Sequence, residues 1–312
     1  MTHDETTSGR GPTRSWPRAV ALLGVVLFLS VIRPSVLIAI PVLALFSMRG
    51  IRGRAVFIVM LAMLFTMSGN RDGIWFAERA WGLMVTGWFV ALTMAVPTWR
   101  LTSRALGAVM GSLAASVALL SVRAGAWSAL DWTVSDALSS SAASTLDALT
   151  VMWKGRPVSP AVVTTMYQMV EYQAAVFPAL IGLASMAALG VAWWIVTSET
   201  GGGDQGIGPI AAFRFNDQLV WLLIGGLLLL VTRWGDALGR IGANAVVFMG
   251  ALYAVRGAGV VMFVSRGLSL FGYGAVAVGL LFFSPFVVGI AMMIGIADTW
   301  LDLRARVGEE SA

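Results

Sequence analysis

Long apolar runs, separated by short clusters of arginine, glycine and proline, make up most of this 312-residue chain. A spanning helix needs about 20 apolar residues. Against that ruler the candidate segments are Ala19–Ile32, Ser35–Ser47, Ala55–Ser68, Ile74–Val96, Ser103–Val122, Ala174–Val196, Leu219–Thr232, Gly239–Val264 and Gly272–Ala297. They predict an all-α fold, a polytopic transmembrane helical bundle. Arg33-Pro34 divides the first pair, whose combined run is too long for one ordinary span and too short for two. Proline disfavours helical backbone at the residue before it and removes a donor, so this pair reads as a tight hairpin or re-entrant pair. A single kinked helix is the alternative.

Arginine placement orients the bundle. Arg10, Arg14 and Arg18 precede the first run, and Arg49, Arg52 and Arg54 follow the second. The positive-inside tendency places both clusters in the cytoplasm. Continued alternation leaves Arg100 and Arg104 inside and 123–173 outside. Nine crossings would strand Arg304 and Arg306 outside, against the same rule, so about eight spans with both termini cytoplasmic are expected. The resulting parts are a tail (1–18), N-terminal membrane helices (19–122), an external amphipathic helical segment (123–173), one membrane helix (174–197), a glycine-rich linker (198–212), C-terminal membrane helices (213–303) and a polar tail (304–312).

In the external segment, Trp127, Leu130, Val134, Leu138, Leu146, Leu149 and Trp153 recur at helical spacing, as in a helix lying along a membrane surface. The serine run Ser139–Ser141 is expected to interrupt it. The linker holds five glycines between 201 and 208. Gly201, Gly203 and Gly206 carry the letters of a dinucleotide fingerprint but follow a membrane helix instead of a strand, so they read as a flexible joint.

Composition narrows the chemistry. Hydrophobic residues make up 58% of the chain and charged residues 12%, against about 25% charged in soluble domains, which points to an integral membrane protein embedded in a lipid bilayer. The net charge of +5 comes from scattered arginines and gives no nucleic-acid stripe. Cysteine is absent and His3 is the only histidine, so thiolate, histidine and Cys-ligated metal chemistry have no material. No cofactor or metal site is expected, and the dispersed carboxylates give no catalytic dyad, so an enzyme is not expected. No ATP-binding motif is present; active transport would need a separate ATPase or an ion gradient.

Several polar residues stand within or beside apolar runs. Arg256 lies inside a predicted span, where a charge costs roughly 2.5 kcal/mol or more. It faces either a polar cavity or a carboxylate, or the helix ends near Val255 and the side chain snorkels. Glu78 and Arg79 read as interfacial anchors or as a buried site. Gly107, Gly111 and Ala115 recur every four residues, a spacing that lets helices approach closely. Asp298 and Asp302 share a helix face, and Asp302 can pair with Arg306; with Trp300 between them they read as a helix exit at the membrane surface.

In order and spacing, "FRFNDQLVWLLIGGLLLLV", "IGANAVVFMGALYAVRGAGVVMFVSRG" and "GIADTWLDLRARV" resemble the YybS-like family of multi-pass bacterial membrane proteins, a domain of unknown function, over roughly 213–307. The matching features are Phe213, Phe215 and Trp221, then Asn244, then Tyr253 and Gly257, then Gly295, Asp298, Asp302 and Arg304. Arg256 stands where the family leads one to expect glutamine. The architecture is similar to the substrate-binding subunits of energy-coupling-factor transporters. The resemblance implies a bacterial cytoplasmic-membrane protein without transferable catalytic residues. Two functions follow as expectations. In the first, a transporter-like bundle binds a small solute through Asn244, Tyr253, Arg256 and Glu78. In the second, a non-catalytic envelope scaffold docks a protein partner through Trp127 and Trp153, with Asp298, Asp302 and Arg304 as a further docking surface.

Overall fold

The computed structural model describes residues 16–30, 32–48, 73–153, 158–200, 210–232, 236–265 and 270–309. The candidate span Ala55–Ser68 and the glycine run 201–208 lie outside the described residues. Among the described residues there are helices and no strands. They are α1 (Trp16–Leu29), α2 (Pro34–Met48), α3 (Gly73–Ala95), α4 (Leu101–Val122), α5 (Ala126–Met152), α6 (Pro160–Ala175), α7 (Phe177–Thr200), α8 (Val220–Thr232), α9 (Asp236–Val264), α10 (Leu270–Leu301) and α11 (Leu303–Glu309).

Among the described residues, four segments are long and apolar enough to cross a membrane: Leu101–Val122, Phe177–Thr200, Ala237–Val264 and Phe282–Leu301. The expected eight are not reached among the described residues. Three apolar runs form helices of only 14, 15 and 13 residues, α1, α2 and α8. At 1.5 Å per residue each covers about 20 Å, short of a hydrocarbon core of about 30 Å.

Local chemistry sets the breaks. Pro34 begins α2, where its missing N–H is harmless, and α1 and α2 are separate helices that both pack on α7. The Arg33-Pro34 division therefore separates two helices, and the single kinked helix is not what forms. Gly125 takes φ +77 between α4 and α5, a backbone open to glycine at no steric cost. In α10, Phe283 leaves helical geometry two residues before Pro285, the usual cause of a sharp kink. Ser139–Ser141 do not interrupt α5, which runs unbroken from Ala126 to Met152. Hydroxyls there bond back into the helix, with Ser144 and Thr145 both donating to the Ser141 carbonyl at 2.8 Å.

The core has two lobes that share α7. In one, Phe46, Trp81, Phe89, Ala108 and Trp193 pack from α2, α3, α4 and α7. In the other, Ala179 of α7 meets Leu223 of α8 and Phe248, Met249 and Tyr253 of α9. Small residues set the close approaches. Within the small-residue repeat of α4, a Cβ on Gly107 would meet Leu92 at 2.9 Å and one on Gly111 would meet Trp88 at 2.7 Å, so this stripe packs α4 on α3 inside the chain. Trp81 is buried and its indole N–H donates to Ser185 at 2.9 Å. It is a core tie between α3 and α7.

Candidate functional site

Arg256 and Arg304, two arginines of the C-terminal half, converge on Asp298. α9 and α10 cross with their backbones in contact: a Cβ on Gly257 would lie 1.8 Å from the Ala291 carbonyl oxygen, and one on Gly295 2.0 Å from that of Tyr253. This approach brings Arg256 of α9 to Asp298 of α10. The Arg256 Nε donates to Asp298 Oδ2 at 2.9 Å, its Nη2 to the Asp298 carbonyl at 3.3 Å and its Nη1 to Asp217 Oδ1 at 2.5 Å. Asp302 has φ +39, a left-handed value that aspartate tolerates, and it ends α10. The chain then turns into α11, where Arg304 Nη2 donates to the same Asp298 oxygen at 3.1 Å and to the Phe213 carbonyl at 3.0 Å, and Nη1 donates to the Ala211 carbonyl at 2.7 Å.

Asp298 is 1% exposed, Arg256 2% and Arg304 5%. Two guanidiniums and two carboxylates, counting Asp217, leave the cluster neutral. A neutral set of this kind tolerates burial that a lone charge would not. Burial pulls the Arg304 guanidinium below its ordinary pKa, a drop that Asp298 partly offsets. An outer pair, Arg214 to Asp302 at 2.7 Å, is about half exposed and contributes at most about 1 kcal/mol. Together these contacts clasp α9, α10, α11 and the connecting stretch 210–219. Phe215 of that stretch stacks edge-on against Tyr253, with ring centroids 5.1 Å apart, and lies beneath the Arg256 guanidinium.

These placements change the expectations. Arg256 neither snorkels nor faces an open cavity; it is paired with carboxylates. Asp298 and Arg304 were expected on a docking surface and are buried inside the clasp, because α11 folds back where a straight helix exit would continue outward. Asp302 is exposed and pairs with Arg214, so the anticipated Arg306 partner is displaced.

The four residues expected to bind a solute do not meet. Tyr253 and Arg256 belong to the clasp. Asn244 lies about three turns away along α9 and is occupied by backbone: it accepts from Ala179 N–H and donates to the carbonyls of Ala175 and Arg240, all at 2.9 Å. It seals the break between α6 and α7. Glu78 is buried in the other lobe, where it accepts the Arg33 N–H at 3.2 Å and pins the α1–α2 turn to α3.

Three contributors were not expected from sequence. Asp217 completes the clasp from a short 3-10 turn. Arg240 donates to the carbonyls of Ala174 and Ala175 and to Asp131, tying α9 to α6 and α5. Arg104 is 7% exposed and lies over the Trp193 ring, 4.8 Å from its centroid. Apolar helices around isolated charges offered the only signal, and spacing alone does not tell which charges meet.

α5 and α6 form a second feature. Val134, Leu138 and Ala174 pack them together beside Phe177. Their other faces are uncovered: Trp127, Trp132, Trp153, Tyr167, Met169 and Tyr172 are 43–71% exposed. A third feature is a cleft of about 490 Å³ between α4, α7, α9 and the 213–219 stretch. Comparison with protein-family profiles, curated proteins and solved structures finds no match to this chain.

Proposed function

We propose that the chain is a non-catalytic multi-pass membrane protein that acts as an envelope scaffold, with α5 and α6 as the platform that docks a protein partner. One observation carries this reading. The helical pair is not apolar enough to be a candidate span, yet it leaves Trp132 71%, Tyr172 57% and Trp153 43% exposed. Large uncovered apolar side chains off the membrane core mark interaction sites, and aromatic residues dominate the energetics of such contacts. Arg240 and the small core around Val134 hold the platform against α9 and α7, so it is presented rigidly. The solute-binding reading loses its anchor, because both anionic partners of Arg256 belong to the chain itself.

The test is a triple variant of the full chain, Trp132→Ala, Tyr167→Ala and Tyr172→Ala. These side chains leave 45–71% of their surface uncovered, so thermal unfolding in detergent should move little. Cross-linked complexes recovered from membranes should be lost. Recovery of the same complexes with the triple variant sinks the docking role.

A further inference from the structure

The cleft beside α4 has an ordered polarity. Trp99, Arg100, Thr102, Ser103 and Asn216 line one part of it, while Leu106, Met110, Met186, Phe215 and Leu252 line the rest. Along α4 the lining runs from Arg100 to Met110, ten residues or about 15 Å at 1.5 Å per residue. That is half of a hydrocarbon core of about 30 Å, the depth of one leaflet. The polar part sits where the backbone leaves helical form twice, at the turn before α4 and in the 213–216 stretch. Trp99, 48% exposed, stands at that level, as aromatic residues do at membrane interfaces.

The charge at the mouth is one-sided. Arg100 forms no ion pair among the described residues, and no acidic side chain lines the cleft. Asp217, the nearest carboxylate in sequence, is committed to Arg256. Buried Arg104, one turn further along α4, adds positive potential without a carboxylate partner of its own among the described residues.

We infer that this cleft binds an anionic phospholipid, its phosphate at Arg100 beside the hydroxyls of Thr102 and Ser103 and one acyl chain along Leu106, Met110 and Leu252. The volume suits a headgroup with part of a chain, since ligand sites occupy roughly 300–1,000 Å³. The positive-inside tendency puts Arg100 at the leaflet where anionic lipids attract basic groups. The clasp at Asp298 contributes indirectly, because it holds Phe213, Phe215 and Asn216 in place as one wall.

The full chain, purified in a neutral detergent, would be titrated with phosphatidylglycerol and with phosphatidylcholine of the same acyl chains, and read by native mass spectrometry. Glycerol 3-phosphate would report the headgroup alone. One phosphatidylglycerol should bind per chain with about tenfold preference over phosphatidylcholine. Arg100→Gln should erase the preference and Arg100→Lys should keep most of it. Ser103→Trp, which fills the mouth, should weaken both lipids. Equal binding of the two lipids, an undiminished preference in Arg100→Gln, or tight binding of glycerol 3-phosphate by itself would each overturn the inference.

Discussion

Gly295→Ala should cost this chain about 3 kcal/mol or more, beyond the usual range for one added methyl group in a packed core. The new Cβ would lie 2.0 Å from the Tyr253 carbonyl oxygen. The obstruction is backbone, which cannot rotate away as a side chain can, so α10 would have to withdraw from α9 by more than 1 Å. Helix propensity works in the opposite direction, since alanine is favoured over glycine by roughly 1 kcal/mol inside a helix, but the clash is larger. Gly257→Ala, whose Cβ meets the Ala291 carbonyl at 1.8 Å, should behave alike. Gly289, on the same helix as Gly295, has nothing within 4 Å of its Cβ position, so Gly289→Ala should be neutral or slightly stabilising. Thermal unfolding of the three purified variants in one detergent checks the ordering. Equal melting of Gly295→Ala and Gly289→Ala would show that the two helices do not meet through their backbones.

Asp298→Ala should lose about 3–5 kcal/mol, the cost of leaving buried charge without its partner. Asp298 is the centre of the clasp: its side chain takes both Arg256 and Arg304. Asp302→Ala, four residues on, removes only the half-exposed pair with Arg214 and should lose less than about 1 kcal/mol. Replacing Arg256, Asp298 and Arg304 together by Met, Leu and Met should be milder than Asp298→Ala alone, because no buried charge remains unpaired and Asp217, the one partner left, is 62% exposed. The contrast between positions 298 and 302 separates a buried clasp from a charged helix exit. Similar small losses at both would favour the exit.

Much of the helical plan is legible in the apolar runs. The Arg33-Pro34 break between α1 and α2 and the close packing through Gly107 and Gly111 follow from rules that act within a few residues. The crossing count is less legible, because hydropathy marks α1, α2 and α8 as apolar without fixing whether 13–15 residues cross. The clasp was half visible. Arg256 in an apolar run demands a partner, and Asp298 stands out only by its spacing to Asp302. Their pairing was hidden because it depends on the angle at which α9 crosses α10 and on the left-handed turn at Asp302, neither of which leaves a local pattern. Asn244 shows the converse limit. A half-buried amide in a membrane helix invites a ligand, yet here two backbone groups at the α6–α7 break and the Arg240 carbonyl of its own helix occupy it.

The scaffold reading stands on α5 and α6 facing the side of the membrane opposite the turn before α4. The natural chain has no cysteine, so a single introduced thiol reports its own location. Ser140 on α5 and Thr98 in the turn before α4 are both exposed. In intact cells treated with a membrane-impermeant maleimide, Ser140→Cys should label at once and Thr98→Cys only after permeabilisation. Labelling of Thr98→Cys in intact cells, with Ser140→Cys protected until lysis, would contradict it.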